Sequence, residues 1–455
     1  MSLSRCNLDV SQPCKEVHTM IAHTFEDAFS AEWIKTHLKN PTHHLILLRR
    51  LIPWQSIIDR LTPFYHPHKG RNGHPLRTLV AISILARLRQ LSDEKVIEGI
   101  KESRAMQYFC NVPDQGLMPF MNPSTLCRFR KRLGTQGIAI IEEGVFNHLR
   151  SAHAIEADMM LQDSTVLESP IIYPTDVRLL FKAFDKMALI AKQAQLEPWW
   201  DQAQIKKLWR AHNLDGSNPL AYLCAFYLLF EPALETFARH HDDVSEGPLK
   251  TRSQTLLDAL LILDEQTQLK LEGQRSIPNR LVSLDDLDAR PIQKGKRHAK
   301  TEFGTMLQLS FNRQGFMITA ENFIGKPDDK KLYAPTLDLF RKRMATSPNG
   351  AVSDLGYRSP KNLKLSHEDL NWVLMGESAD VDEAHREVAL KARSATEGFI
   401  AVAKTWRGFG RSLYRGLEGA IRWTLLNLGA YNLKKLLQLY RQEALSEATL
   451  MALQV

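Results

Sequence analysis

The N-terminal third of the chain repeats apolar residues at helical spacing. Residues 31–62 carry one apolar stripe, and Leu76–Gln90 carries another. A short basic segment, Thr125–Leu133, follows a Ser cap and stops at Gly134. These patterns predict an all-helical N-terminal domain over residues 1–150.

The rest of the chain alternates between strand and helix patterns. Helical spacing returns over residues 177–275, 384–404 and 417–439. A turn at residues 312–315 predicts a hairpin between two strand patterns. The predicted strands are Met159–Val166, Arg280–Leu284, Glu302–Phe311, Phe316–Phe323, Gly350–Ser353 and Asn371–Met375.

The order of these elements predicts an α+β fold with a mixed sheet and flanking helices. Residues 151–176 and 280–455 would form the sheet domain. Residues 177–279 would be a large all-helical insertion after the first strand.

The net charge of +8 is concentrated at the two ends of the chain. Residues 1–150 contain 20 Lys and Arg against 13 Asp and Glu, and residues 391–455 contain 10 against 4. Residues 151–280 are acidic, with 13 against 18. This distribution suits a polyanionic partner held by both ends, although solubility alone also explains a charge excess.

Composition restricts the cellular setting. The longest apolar run, Leu220–Phe230, is too short to span a bilayer, and no basic start followed by an apolar stretch indicates a signal peptide. Five scattered cysteines without CxxC spacing favour a reduced, cytoplasmic compartment.

Three acidic residues occupy positions suited to chemistry. Asp163 lies on an apolar strand pattern, Asp354 follows the strand Gly350–Ser353, and Glu397 lies on a predicted helix. A carboxylate on an apolar strand is costly unless it is paired or binds a metal. Each acid also has a plain alternative, namely a cap, a turn residue or a solvated helix face.

Carboxylates are the ligands that Mg²⁺ prefers, and a pair of such ions supports phosphoryl transfer. The sequence therefore suggests that Asp163, Asp354 and Glu397 hold two Mg²⁺ ions, for which Mn²⁺ can substitute. Arg393 and Lys404 share a helical face with Glu397 and would hold phosphates beside the metals.

Further cations are candidates for DNA contact. The short basic helix and a basic loop before the hairpin could each track a phosphate backbone or be plain solvated surface. Trp199 and Trp200 could stack on DNA ends, although packing is the favoured explanation. The candidate cations are Arg128, Arg130, Lys131 and Arg132 in the helix, and Lys294, Lys296 and Arg297 in the loop.

Several sequence motifs together resemble those of bacterial insertion-sequence transposases with a DDE nuclease domain of RNase H type. Residues 74–100 and 122–134 are similar to the InsH-like N-terminal domain of that family. Residues 161–176 and 351–359 resemble the phrases around its first two acids, which the resemblance places at Asp163 and Asp354. Residues 414–417 and 430–433 resemble its C-terminal pattern.

The resemblance also identifies the third acid. The family places Glu four residues after Arg and seven before Lys, which matches Arg393, Glu397 and Lys404. Glu418, among arginines, is the rival. Leu390 and Leu355 depart from the Tyr and the basic residue that relatives have at these positions.

The resemblance implies a DNA transposase that binds the terminal inverted repeats of its element as double-stranded DNA. It implies metal-dependent strand cleavage and transfer to target DNA. A homodimer in the DNA complex and a nucleoid-associated, cytoplasmic location are expected. The alternative is a transposase-derived DNA-binding protein without transposition activity.

Overall fold

The computed structural model describes residues 19–20, 29–40, 42–66, 71–112, 121–244, 246–293, 301–376 and 381–453. Its N-terminal part is helical, apart from a short parallel pair formed by β1 (Thr19–Met20) and β2 (Arg71–Asn72). The helices of this part are α1 (Ala31–His37), α2 (His44–Leu51), α3 (Trp54–Leu61), α4 (Leu76–Arg89), α5 (Asp93–Glu102), α6 (Arg104–Cys110) and α7 (Pro123–Ser151).

Two predicted helices differ from the observed ones. The apolar stripe over residues 31–62 is divided among three short helices. Pro53 separates the last two, because it cannot continue α2 and instead stands directly before α3. The basic helix does break at Gly134, whose φ of 59° is left-handed, but helix resumes at once and continues to Ser151.

One six-stranded sheet forms the centre of the molecule. It runs β6-β5-β3-β7-β8, and β4 pairs with the same edge of β5 as β6 does. β5 is antiparallel to both of its neighbours β3 and β6. On the other side of β3, β7 and β8 are parallel to it. The strands are β3 (Met159–Glu168), β4 (Arg290–Ile292), β5 (Glu302–Phe311), β6 (Met317–Ile324), β7 (Gly350–Ser353) and β8 (Trp372–Met375).

The predicted hairpin is confirmed, and Gly315 turns it with a φ of 85°. The predicted strand Arg280–Leu284 is wrong. The side chain of Gln266 bonds both the N–H and the C=O of Leu281, and Arg280 pairs with Asp176. These bonds tie the segment to the helices beside it, and the strand forms later, at β4.

Successive residues of a strand point to opposite faces, and here each face has its own cover. Leu161 and Val352 lie on the face covered by α14, whereas Met160 and Ala351 lie on the face covered by α12 and the N-terminal helices. The helices of this half are α12 (Asp329–Met344), α13 (Pro360–Asp369), α14 (Glu383–Trp406), α15 (Gly416–Arg441) and α16 (Glu447–Leu453).

The two C-terminal sequence motifs at residues 414–417 and 430–433 make contacts that anchor α15. The buried side chain of Asn432 donates to the carbonyl of Met317 and accepts from its N–H, at 2.8 and 2.9 Å, where the pairing of β5 and β6 shifts register. Gly416 has a φ of 73°, and the N–H of Leu417 donates to Asp288 at 2.6 Å. Residues 430–433 therefore hold α15 against the sheet, and residues 414–417 hold the start of α15 to the segment that precedes β4.

The helical insertion has a hydrophobic core of its own. Four helices build it: α8 (Asp176–Gln193), α9 (Gln202–Leu214), α10 (Pro219–Asp243) and α11 (Pro248–Leu271). Trp199 donates to the carbonyl of Ala233 at 2.8 Å, and Trp200 packs on Phe184, so both tryptophans are packing residues here. By length and composition α10 could cross a membrane, but Phe226 and Phe230 are buried in this core.

The N-terminal helices and the sheet, by contrast, share one hydrophobic cluster. Arg343 of α12 binds Glu142 of α7 through two hydrogen bonds of 2.9 and 2.6 Å, and its guanidinium lies over Phe146. This buried bidentate pair fixes α7 to the helix that covers the sheet.

Candidate active site

Asp163 and Asp354 lie on adjacent strands and the same face. The pairing of β3 with β7 ends at Leu161 opposite Val352, and each aspartate follows two residues after its member of that pair. Neighbouring strands are about 4.8 Å apart, and residues two apart share a face. Both aspartates therefore lie at the same edge of the face that α14 covers.

Asp354 directly follows β7 and is tied to α14. Its Oδ1 accepts from the N–H of Leu355 at 2.7 Å, which caps the short turn that follows, and from Arg393 at 3.1 Å. The turn role considered from the sequence is therefore real, but it is combined with an ion pair to the helix that carries Glu397. The side chain of Asp354 remains 59% exposed.

Glu397 lies between two contacts that anchor α14 across the sheet. One turn earlier Arg393 reaches Asp354 at the end of β7, and two turns later Lys404 pairs with Glu302 at the start of β5, at 2.7 Å. β3 lies between these two strands, and Glu397 is exposed at the intermediate position of the helix. The helix thus carries Glu397 across the strand that bears Asp163.

The carboxylates of Asp163, Asp354 and Glu397 do not form a preassembled metal site. Within the described ranges, no group of three or more His, Cys, Asp or Glu side chains is arranged to hold a metal ion. Arg393 occupies one oxygen of Asp354, so a guanidinium lies where a bound cation would have to compete.

Asp329 is a fourth acid close to Asp354, and it approaches from the face of the sheet that α12 covers; sequence reasoning missed it. It lies in the first turn of α12, where Oδ1 accepts from the Ser164 hydroxyl at 3.3 Å. A Cβ at Gly356 would lie 3.0 Å from its Oδ2, so the glycine allows this close approach. Burial raises the pKa of Asp329, and the charge of Asp354 adds to the effect.

Tyr357 forms the buried base of this acidic edge. Its phenol donates to Gln308 at 2.8 Å, and Gln308 in turn donates to Gln162 at 3.3 Å. Burial raises the pKa of Tyr357, and the charges of Asp163 and Asp329 raise it further. The sequence signal for both residues is weak, because Asp329 is typical of a helix start and Tyr357 of a turn.

Glu418, the rival third acid, lies in the first turn of α15 and pairs with Arg422 of its own helix at 3.5 Å. Its side chain is 80% exposed. The contact between Arg393 and Asp354 instead joins the helix of Glu397 to the aspartates, which favours Glu397.

The predicted DNA-contacting cations of α7 fall into two groups. Arg128 and Lys131 are exposed. Arg130 is buried and binds Asp93 through two hydrogen bonds of 3.0 and 2.5 Å, and Arg132 lies over the ring of Tyr65. The predicted loop cations Lys294, Lys296 and Arg297 lie outside the described residues.

Comparison with known proteins points in one direction. Residues 34–132 match the family described as Transposase domain (DUF772). A protein of Rhizobium meliloti, described as uncharacterized protein ORF8 in nfe locus, is 31% identical over 161 residues, which cover 35% of this chain and 77% of that protein. No solved structure matches. Given this domain and a relative covered over most of its length, the chain belongs to a transposase family.

Proposed function

We propose that the protein is a DNA transposase of the DDE type, with an RNase H-like sheet domain. The observation that carries the proposal is the placement of Asp163 and Asp354 on one face of adjacent strands, with Asp354 joined through Arg393 to the helix that bears Glu397. The strand order β6-β5-β3-β7-β8, antiparallel on one side of β3 and parallel on the other, supports the fold assignment.

The donor set fits divalent cations that prefer oxygen. Asp163, Asp354 and Glu397 would hold two Mg²⁺ or Mn²⁺ ions. Burial is the main cause of the raised pKa of Asp329, and the charge of Asp354 contributes to it. When bound, the metals would stabilise both the attacking and the leaving oxygens of a phosphoryl transfer.

The cations of α14 would serve the DNA. In the free protein Arg393 neutralises Asp354 and Lys404 neutralises Glu302. An arriving phosphodiester offers both side chains a competing anion, and the bidentate geometry of a guanidinium suits a phosphate. A shift of Arg393 from Asp354 to a phosphate would free the carboxylate as the substrate arrives.

The proposed substrate is double-stranded DNA carrying the terminal inverted repeats, with target DNA as the acceptor. A homodimer would pair two element ends, in a cytoplasmic, nucleoid-associated setting. The domain limits proposed are residues 1–150, 151–176 with 280–455, and the insertion 177–279.

The test is strand cleavage of a duplex that contains an element end, with Mg²⁺ or Mn²⁺. We expect Asp163→Asn, Asp354→Asn and Glu397→Gln each to lower the cleavage rate by about 10³-fold, the order seen when one group that stabilises a transition state is removed. Glu418→Gln is the matched control and should cleave normally. A fully active variant at any of the three acids would remove that residue from the site.

A second candidate function is DNA binding without transposition. It is favoured by Leu355 and Leu390, which are 59% and 42% exposed where relatives are expected to carry a basic residue and a Tyr. Wild-type protein that binds element ends tightly but cleaves neither strand with either metal would establish this alternative.

A further inference from the structure

A basic groove lies along the C-terminal half of α15. Two cavities of about 510 and 380 Å³ adjoin there and share Arg407 and Gln438. We call this the α15 groove, and its lining includes His44, Arg407, Lys434, Lys435, Gln438 and Arg441.

The charge of the α15 groove is not balanced by carboxylates of the described residues. Among the described residues, neither Arg407, Lys434 nor Arg441 forms an ion pair with a carboxylate. The charged groups that act on Lys434 are Arg407 and Arg89, and burial together with these cations lowers its pKa to about 8. The same surroundings lower the pKa of His44 to about 4, with burial as the largest cause. The groove therefore concentrates uncompensated positive charge.

Helix ends do not balance this charge. Arg441 ends α15 and Arg89 ends α4, where helix dipoles favour cations. Each helix end supplies about half an elementary charge, which is too little for several clustered cations. Mutual repulsion of this kind is costly for a fold and is characteristic of sites that receive an anion.

The second cavity brings the groove to α14, the helix of Glu397. Its wall there consists of Ala395, Gly398, Phe399 and Val402. A Cβ at Gly398 would meet nothing within 4 Å, so this wall is open to a bulky ligand. From Ala395 to Arg407 the wall is about 18 Å long, which matches about five base pairs of duplex.

We propose that the α15 groove binds the phosphodiester backbone of duplex DNA on its way to the acidic edge. This inference rests on the proposed function for the identity of the polyanion. The contacts are to phosphates, since the charged side chains that line the groove include Arg407, Lys434, Lys435 and Arg441 and no carboxylate. The groove therefore adds affinity without sequence preference.

The test is a salt titration of DNA binding by the full-length chain, followed by fluorescence anisotropy. The double variant Lys434→Gln/Arg441→Gln should reduce the slope of log affinity against log salt by about 2, roughly one unit for each lost phosphate contact. Affinity should fall by about tenfold near 0.1 M salt, equally for an element-end duplex and an unrelated duplex.

The matched control is Lys364→Gln/Lys391→Gln, which removes the same charge from two exposed lysines that pair with Glu368 and Glu387. An unchanged slope in the groove variant, or a loss equal to that of this control, overturns the proposal. The single variant Arg441→Gln, at an exposed position, should lose about one unit of slope and guards against misfolding of the double variant.

The outcomes also separate the two proposals. If the wild-type protein cleaves DNA but the groove variant has an unchanged salt slope, only the groove proposal is wrong. If the groove variant loses the expected salt slope but the Asp163→Asn variant cleaves normally, only the active-site proposal is wrong. Wild-type protein that binds no duplex defeats both.

Discussion

The basic segment of α7 and the α15 groove carry similar charge but differ in their partners. In α7, Arg130 is committed to Asp93 and its guanidinium also lies over Tyr414. In the groove, the charges that act on Lys434 within the described part of the chain are those of Arg407 and Arg89. The comparison teaches that a run of basic residues in a sequence measures charge, whereas availability for a ligand depends on which acids the fold brings near.

The difference has an energetic meaning. A buried pair such as Arg130 with Asp93 holds α7 against α5, and breaking it leaves one charge without a partner. Clustered cations without acids do the reverse, because they weaken the folded state until an anion arrives. One set therefore supports the structure, and the other is available for binding.

The largest effect is expected from Arg130→Ala. The free energy of unfolding should fall by about 3–5 kcal/mol, the usual loss when one member of a buried ion pair is removed. Urea unfolding measures it, with Arg128→Ala on the exposed side of the same helix as the control, expected to stay within about 0.5 kcal/mol. Unchanged stability combined with weaker DNA binding would move Arg130 from the structural set to the binding set.

A smaller effect is expected from Lys434, through pH. Its pKa is about 8 in the folded protein and about 10.4 in an unfolded chain, so between these values the unfolded chain binds more protons. Its contribution to stability should therefore rise with pH across that window, by roughly 1 kcal/mol once the screening of a half-exposed group is allowed for.

The measurement is the difference in unfolding free energy between wild type and Lys434→Met at pH 7 and at pH 10. The unfolding free energy of the wild type should rise relative to that of the variant as pH rises. Lys391→Met, at an exposed lysine paired with Glu387, is the control for the loss of one lysine. A constant difference for Lys434→Met would mean that neither burial nor the neighbouring cations lower the pKa of Lys434.

Local patterns predicted much of the fold. The strand Gly350–Ser353 has its predicted limits because four buried residues stand between turn signals. α12 was not predicted, since Pro335 lies inside it, and Tyr333 and Leu337 hold the helix by packing. The false strand at Arg280–Leu284 has an apolar pattern whose backbone is bonded by Gln266, a partner that no local pattern reveals.

The site was predictable only in part, for the same reason. Asp163 and Asp354 could be found because each stands on or just after an apolar strand pattern. Their adjacency depends on β3 pairing with β7, which are nearly 200 residues apart in the chain. Asp329 joins them through a contact with Ser164, and the α15 groove forms from three distant segments. Long-range pairing of this kind leaves no signal in a window of sequence.

The smallest effect is expected from the exposed cations of α7. Among the described residues, Arg128 donates only to Ser124 and Thr125 of its own helix, at 3.3 and 3.4 Å, and Lys131 is exposed. Because exposed charges are well hydrated and screened by salt, Arg128→Gln/Lys131→Gln should weaken duplex binding by only about two- to threefold. The same anisotropy titration measures it beside the groove double variant. If the α7 variant loses more affinity than the groove variant, the α7 helix is the main DNA-binding element, and the groove is secondary to it.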